Sequence, residues 1–128
     1  MALRDQIRVL VVDDMSVSRG LLTQALDQLG VRNYATASSG AEAIAYLQRT
    51  PVHLVVSDYN MPGMDGLELL QQLRASAATA RTGFIMVTGT EDRNVIQRGA
   101  ALGMNNYLPK PFTAATVRDC IEKVFGRL

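Results

Sequence analysis

Apolar runs along this chain stop repeatedly at polar residues, and the spacing between the runs is helical. Residues 7–12, Ile7-Arg8-Val9-Leu10-Val11-Val12, are rich in β-branched side chains and end at Asp13-Asp14, which reads as a first strand closed by carboxylates. Over residues 15–29 the apolar positions Leu21, Leu22, Ala25, Leu26 and Leu29 recur with helical period, and Gly30 supplies the stop. Residues 34–37 form a short, weakly apolar strand, after which Ser39-Gly40-Ala41-Glu42 reads as a capping box opening a helix through Ile44 and Leu47 to Arg49. Pro51 closes that helix. Leu54-Val55-Val56 then reads as a strand buried on both faces, ending at Asp58.

The second half repeats the alternation. Pro62, Gly63 and Gly66 mark a turn before a helix over 67–75, with a small, polar connecting loop at 76–82. Phe84-Ile85-Met86-Val87 is a fourth buried strand ending at Thr88-Gly89-Thr90. The next helix opens near Glu91-Asp92, whose charges suit a helix N-terminus, and carries Val95, Ile96, Ala100 and Leu102 before Gly103. A short strand near Tyr107-Leu108 stops at Pro109-Lys110-Pro111, and the last helix, 113–125, places Val117, Cys120, Ile121, Val124 and Phe125 on one stripe. Five strands alternating with five helices predict an α/β fold: a mostly parallel sheet covered on both faces, because parallel strands need crossover helices. In such a sheet Asp13, Asp14, Asp58, Thr88 and Lys110 all fall at strand ends on one edge, where open α/β sheets bind ligands.

The 128 residues fit one domain, and a composition of 48% hydrophobic and 20% charged residues is globular. No apolar run reaches the length of a membrane span, and the first residues lack the apolar core of a signal peptide, running directly into the strand pattern. A net charge of +1 without a basic patch argues against nucleic-acid binding. Cys120 is the only cysteine, which excludes a disulfide framework and makes the cytoplasm the expected compartment.

The strand-end residues carry the chemistry. Carboxylates gathered as Asp13, Asp14 and Asp58 repel one another and call for a cation, and Mg²⁺ suits oxygen donors of this kind. Lys110 brings a mobile positive charge and Thr88 a hydroxyl, both fitted to phosphate oxygens. Together they describe phosphoryl transfer to a carboxylate, with Asp58 as the attacking group. His53 stands at the start of the third strand, away from this edge, and an ionised carboxylate needs no base.

The set Asp13-Asp14, Asp58, Thr88 and Lys110-Pro111 resembles the receiver domain of two-component response regulators, in order and spacing over nearly the whole chain. The resemblance implies a flavodoxin-like (βα)5 fold with strand order 2-1-3-4-5, a single receiver over residues 1–128 without an output domain, and a monomer. It implies Asp58 as phosphoacceptor for a histidine kinase, Mg²⁺ held by Asp13, Asp14, Asp58 and the Asn60 carbonyl, with Asp14 as the direct ligand beside Asp13, and Thr88 and Lys110 on the phosphoryl oxygens. Gly89 leaves the site open to a donor, Tyr107 matches the switch aromatic that follows the threonine inward, and Lys110-Pro111 matches a peptide bond that is cis in the family.

Two longer runs, residues 57–70 and 110–116, are similar to the single-domain chemotaxis branch of that family. That branch binds the flagellar motor switch through a face that here includes Arg93, Asn94, Gln97, Arg98, Tyr107 and Arg118, and a phosphatase is a further partner. Thr90 stands two positions past the threonine, where familiar chemotaxis members can carry an acidic residue, and with Asn60 that position bears on the lifetime of the phosphoaspartate in the family.

Alternatives remain at this stage: a phosphorelay intermediate or phosphate sink, a receiver-like module that is never phosphorylated, a small carboxylate-nucleophile phosphatase, and a flavodoxin-like electron carrier. The electron carrier is disfavoured because Asp13-Asp14-Met15-Ser16 is acidic where a cradled phosphate would sit. The phosphatase lacks room for substrate-capping insertions. Taken singly, Asp13-Asp14 reads as a turn or cap, Asn60 and Asp65 as turn formers, Tyr107 as a packed aromatic, Met15, Met61, Met64, Met86 and Met104 as core or loop filler, and Cys120 as a buried small hydrophobe.

Overall fold

The computed structural model describes residues 1–89 and 93–128. Thr90 and the helix opening expected at Glu91-Asp92 lie outside the described residues. Five strands, β1 (Val9–Val12), β2 (Tyr34–Ala37), β3 (Leu54–Asp58), β4 (Gly83–Thr88) and β5 (Asn106–Pro109), form one parallel sheet in the order β2-β1-β3-β4-β5. The helices among the described residues are α1 (Leu3–Gln6), α2 (Ser16–Gln28), α3 (Gly40–Arg49), α4 (Gly66–Ala75), α5 (Arg93–Ala101) and α6 (Ala114–Phe125). This is the flavodoxin-like arrangement, with one helix more than the sequence pattern predicts.

Alternation along the strands sorts the core into two layers. Val9, Val11, Leu54, Val56, Ile85 and Val87 pack beneath α2 and α6, against Leu22, Leu26, Val117 and Ile121. Leu10, Val12, Val55, Phe84 and Met86 pack beneath α3, α4 and α5, against Leu47, Leu67, Leu70, Leu73 and Val95. Strands buried on both faces explain why β1, β3 and β4 read as continuous apolar runs.

The structure corrects the pattern in four places. The first residues do not run straight into a strand: they form the single turn α1, whose end is marked by the Ile7 N–H donating to the Leu3 carbonyl at 2.9 Å. Strand pairing therefore starts at Val9 rather than Ile7, the Arg8 N–H being taken by His53 Nδ1 at 2.9 Å. Ser39 caps α3 by accepting from the Glu42 N–H, but Glu42 does not return the bond, because its carboxylate accepts from the Ser38 hydroxyl at 2.8 Å. Reciprocal capping boxes occur instead at Asp65/Glu68 on α4 and Thr113/Thr116 on α6. Finally, Leu21 belongs to the apolar stripe by spacing yet is 53% exposed, and Met15 and Val17 are more exposed still.

Candidate phosphorylation site

The parallel register brings the carboxyl ends of β1, β3, β4 and β5 to one edge, which fixes the site. Asp58 closes β3 opposite Val87, and Thr88 closes β4 opposite Pro109, one residue before Lys110. A cleft of about 780 Å³ opens there, lined by Asp14, Asp58, Asn60, Thr88, Gly89 and Lys110 among others. Asp13 stands behind it, fully buried. One oxygen from each of Asp13, Asp14 and Asp58 lies within 4.8 Å of the others.

The local backbone explains these placements. Asp13 Oδ1 accepts from the Met15 N–H at 2.9 Å, and the Asp13 carbonyl accepts from Arg19 Nη1 at 2.8 Å, so the β1–α2 turn is held by the first turn of the helix it feeds. Ser57, buried in the centre of the sheet, donates its hydroxyl to the Asp58 carbonyl at 2.9 Å. Asp65 caps α4, and Gly66, its first residue, donates to the Tyr59 carbonyl at 2.9 Å. A β-carbon at Gly66 would lie 2.7 Å from the Asp58 carbonyl oxygen, so only glycine lets α4 start this close to the strand end.

Electrostatically the site is strained in favour of a cation. Burial pushes the Asp58 carboxyl above the usual carboxylate range, Lys110 opposes this, and the negative charges of Asp13 and Asp14 add to it. Lys110 Nζ stands 3.1 Å from Asp58 Oδ1, with the lysine side chain about one-third exposed. Asp13 Oδ2, Asp14 Oδ1 and Thr88 Oγ1 are buried without a hydrogen-bond partner among the described residues, which is costly unless something else satisfies them. Oxygen donors left unsatisfied beside three clustered carboxylates fit a hard divalent cation and an incoming phosphoryl group.

Of the residues singled out in the sequence, Asp13, Asp14, Asp58, Asn60, Thr88, Gly89 and Lys110 come together at this edge. A β-carbon added at Gly89 would meet no atom within 4 Å, and the Lys110-Pro111 bond is cis. Tyr107 does not line the cleft. It is half-buried on β5 opposite Met86, on the same sheet face as Thr88, and its carbonyl accepts from the Cys120 thiol at 3.4 Å. His53 lies at the opposite end of β3. Arg93, Asn94, Gln97 and Arg98 are exposed on α5, and Arg118 is exposed on α6. Sequence reasoning missed the supporting roles of Arg19, Ser57 and Asp65. A hydroxyl inside an apolar strand was a usable signal for Ser57, whereas nothing local marked Arg19.

A doubly wound sheet with this acidic edge defines a class, and the family comparison agrees: the chain belongs to the response regulator receiver domain family, whose model matches residues 9–122. Within that family its likeness is to chemotaxis regulators of the CheY type. It is 44% identical over 128 residues to a probable chemotaxis protein CheY of Rhizobium etli, covering 100% of this chain and 99% of that protein. Its fold is similar to that of the chemotaxis response regulator CheY4 of Vibrio cholerae, with a TM-score of 0.85 and 31% identity over 92% of this chain and 98% of that one. It is also similar, with a TM-score of 0.84 and 25% identity over 94% of this chain and 98% of the other, to a sensor kinase receiver domain from Pseudomonas aeruginosa that has a magnesium ion coordinated in its active-site cleft. Receiver domains are signalling domains of two-component systems that bind Mg²⁺ at an acidic pocket, and the Asp13, Asp14 and Asp58 cluster is such a pocket. No helix among the described residues is long and apolar enough to cross a membrane.

Proposed function

We propose that this chain is a phosphorylation switch in which a histidine kinase donates a phosphoryl group to Asp58. The observation that carries the reading is the juxtaposition of a buried carboxylate, clustered with two others, with Lys110 at 3.1 Å and a Thr88 hydroxyl that has no partner among the described residues. Asp13, Asp14, Asp58 and the Asn60 carbonyl would hold Mg²⁺, which supplies positive charge to the phosphoryl oxygens when bound. The chain's own groups do the rest. An Asp58 oxygen attacks phosphorus as the bond to the donor nitrogen breaks, Lys110 turns from Asp58 to a phosphoryl oxygen, and the Thr88 hydroxyl donates to another. Protein donors are favoured by Met15, Val17 and Leu21, which are 60%, 73% and 53% exposed and flank a second groove reaching Lys110 and Phe112.

The output we assign to α5, β5 and α6. Movement of Thr88 toward the phosphoryl group frees space on the sheet face it shares with Tyr107, and Tyr107 follows inward, altering the surface that Arg93, Asn94, Gln97, Arg98 and Arg118 present. A population shift of a few kcal/mol is sufficient for such a response. The names of the relatives support a role in chemotaxis; within that role we take the flagellar motor switch as the target, with a phosphorelay or phosphate-sink role as the second reading. Lys110→Ala is expected to keep the melting temperature within a few degrees of the unaltered chain while losing the phosphorylation-dependent change at Tyr107 seen by fluorescence or NMR. Deleting the gene is expected to alter the frequency of swimming reversals, and unaltered reversals would move the assignment to a phosphate sink.

A further inference from the structure

The amino edge of the sheet, at the far end of the strands from Asp58, gathers positive charge that no basic run in the sequence announces. Val9 pairs with Tyr34 across β1 and β2, so Arg8 falls opposite Asn33 and beside Arg32. The backbone under both arginines is fixed. The Arg8 N–H donates to His53 Nδ1 at 2.9 Å, and its carbonyl accepts from the N–H groups of His53 at 3.0 Å and Leu54 at 3.2 Å. The Asn33 carbonyl accepts from the Val9 N–H at 3.0 Å, and Asn33 Nδ2 donates to the Asp5 carbonyl at 3.1 Å. Arg8 and Arg32 themselves are exposed, and neither guanidinium has a hydrogen-bond or carboxylate partner among the described residues.

Both arginines line a cleft of about 360 Å³ between the start of β2 and the end of α3, a volume within the range of small-molecule sites. Its lining divides in two. Arg8 and Arg32, with the Tyr46 and Thr50 hydroxyls, supply hydrogen-bond donors, and no carboxylate stands among the lining residues. Ala35, Tyr46 and Val52, packed on the core, supply an apolar floor. The Tyr34 hydroxyl is already spent on Asp27 at 2.8 Å. Helix carboxyl ends attract cations, which accounts for Arg49 in the last turn of α3. It does not account for Arg8, which leads into a strand and lines the cleft.

Planar guanidinium forks suit the oxygens of a phosphoryl group, which accepts bidentate bonds from arginine, and the apolar floor suits an organic group attached to it. We propose that this cleft binds a small phosphate ester of mononucleotide size, with Arg8 and Arg32 on the phosphoryl oxygens and the organic part over Tyr46. The fixed backbone confines the ordering cost of binding to the side chains. Binding here is noncovalent and independent of the phosphoacceptor reading, because the cleft and Asp58 lie at opposite ends of the strands.

The test is an NMR titration of the full chain in chelator at about 0.15 M salt, with adenosine monophosphate, inorganic pyrophosphate and adenosine as probes. Adenosine monophosphate is expected to shift the amides of Arg8, Asn33 and Thr50 and the Tyr46 ring saturably, with a dissociation constant below about 1 mM. Pyrophosphate is expected to shift Arg8 and Asn33 without the ring, and adenosine to shift neither. Arg8→Gln and Arg32→Gln are each expected to weaken the nucleotide about tenfold, as loss of a charged hydrogen bond does. Arg49→Gln, outside the cleft on the same edge, is expected to leave binding unchanged. Absence of a saturable shift at the amino edge would overturn the proposal, as would equal weakening in Arg49→Gln, the mark of diffuse charge attraction. Adenosine binding as tightly as its monophosphate, or pyrophosphate binding without the nucleotide, would overturn it too. Should Arg8→Gln fail to fold, Arg32→Gln, in an exposed connection, decides.

Discussion

Asp58 sits where a carboxylate is least comfortable, and its discomfort is the usable property. Burial raises its pKa, with the neighbouring Asp13 and Asp14 adding to the effect and Lys110 only partly relieving it. A carboxyl whose folded pKa exceeds its unfolded value binds its proton more tightly in the folded state. Its contribution to stability is therefore full below the unfolded carboxylate pKa and is lost as pH rises through the folded value. Asp58→Asn, which keeps the shape without the charge, is expected to raise the melting temperature by a few degrees at pH 7 in chelator. The advantage should shrink as pH falls through the carboxylate range, and thermal melts across pH check it. Cys120 is shifted in the same direction by the same cause: burial pushes its thiol up to about 11, so it stays protonated and packs as a small hydrophobe against β5.

At the scale of the elements, the site depends on how closely α4 can begin behind β3. Gly66→Ala gains about 1 kcal/mol of helix propensity, yet its β-carbon would collide with the Asp58 carbonyl oxygen, the Tyr59 Cα and the Met86 sulfur. The net outcome expected is a loss of about 1–3 kcal/mol, typical of an overpacked core, together with weaker Mg²⁺ binding, measured by denaturant melts and metal titration. Most strand ends were legible in the sequence because β1, β3 and β4 are buried on both faces and their apolar runs stop where the sheet meets solvent. Gly66 reads locally as a turn marker, and its contact with Asp58 comes from tertiary approach, which no local pattern encodes. The same holds for Arg19, whose partner is the backbone carbonyl of Asp13. Such partners carry no residue-type signal. α1 was missed because one helical turn leaves no periodicity to detect, and Leu21 was misplaced because spacing assigns a helical face without saying how wide the covering neighbour is.

For the whole molecule, the two core layers make a rigid support and leave the carboxyl edge as the place where free energy can be changed by binding. Among the described residues, every buried side-chain oxygen without a hydrogen-bond partner lies there: Asp13 Oδ2, Asp14 Oδ1 and Thr88 Oγ1. A ligand that binds only the folded chain stabilises it by mass action, about 2.7 kcal/mol at a hundredfold excess over its dissociation constant. Mg²⁺ is accordingly expected to raise the melting temperature in a saturable way, and Asp14→Asn to weaken the effect at least several-fold while leaving the metal-free melt little changed. A melting temperature indifferent to Mg²⁺ would remove the cation from the account.

The central claim is that Asp58 accepts one phosphoryl group, and its most direct measurement is intact-mass spectrometry of the full chain after incubation with acetyl phosphate and Mg²⁺. One alkali-labile phosphoryl adduct per chain is expected, absent without Mg²⁺ and absent in Asp58→Asn. Stoichiometric labelling of Asp58→Asn, or no adduct on the unaltered chain under conditions where Mg²⁺ is bound, would contradict it.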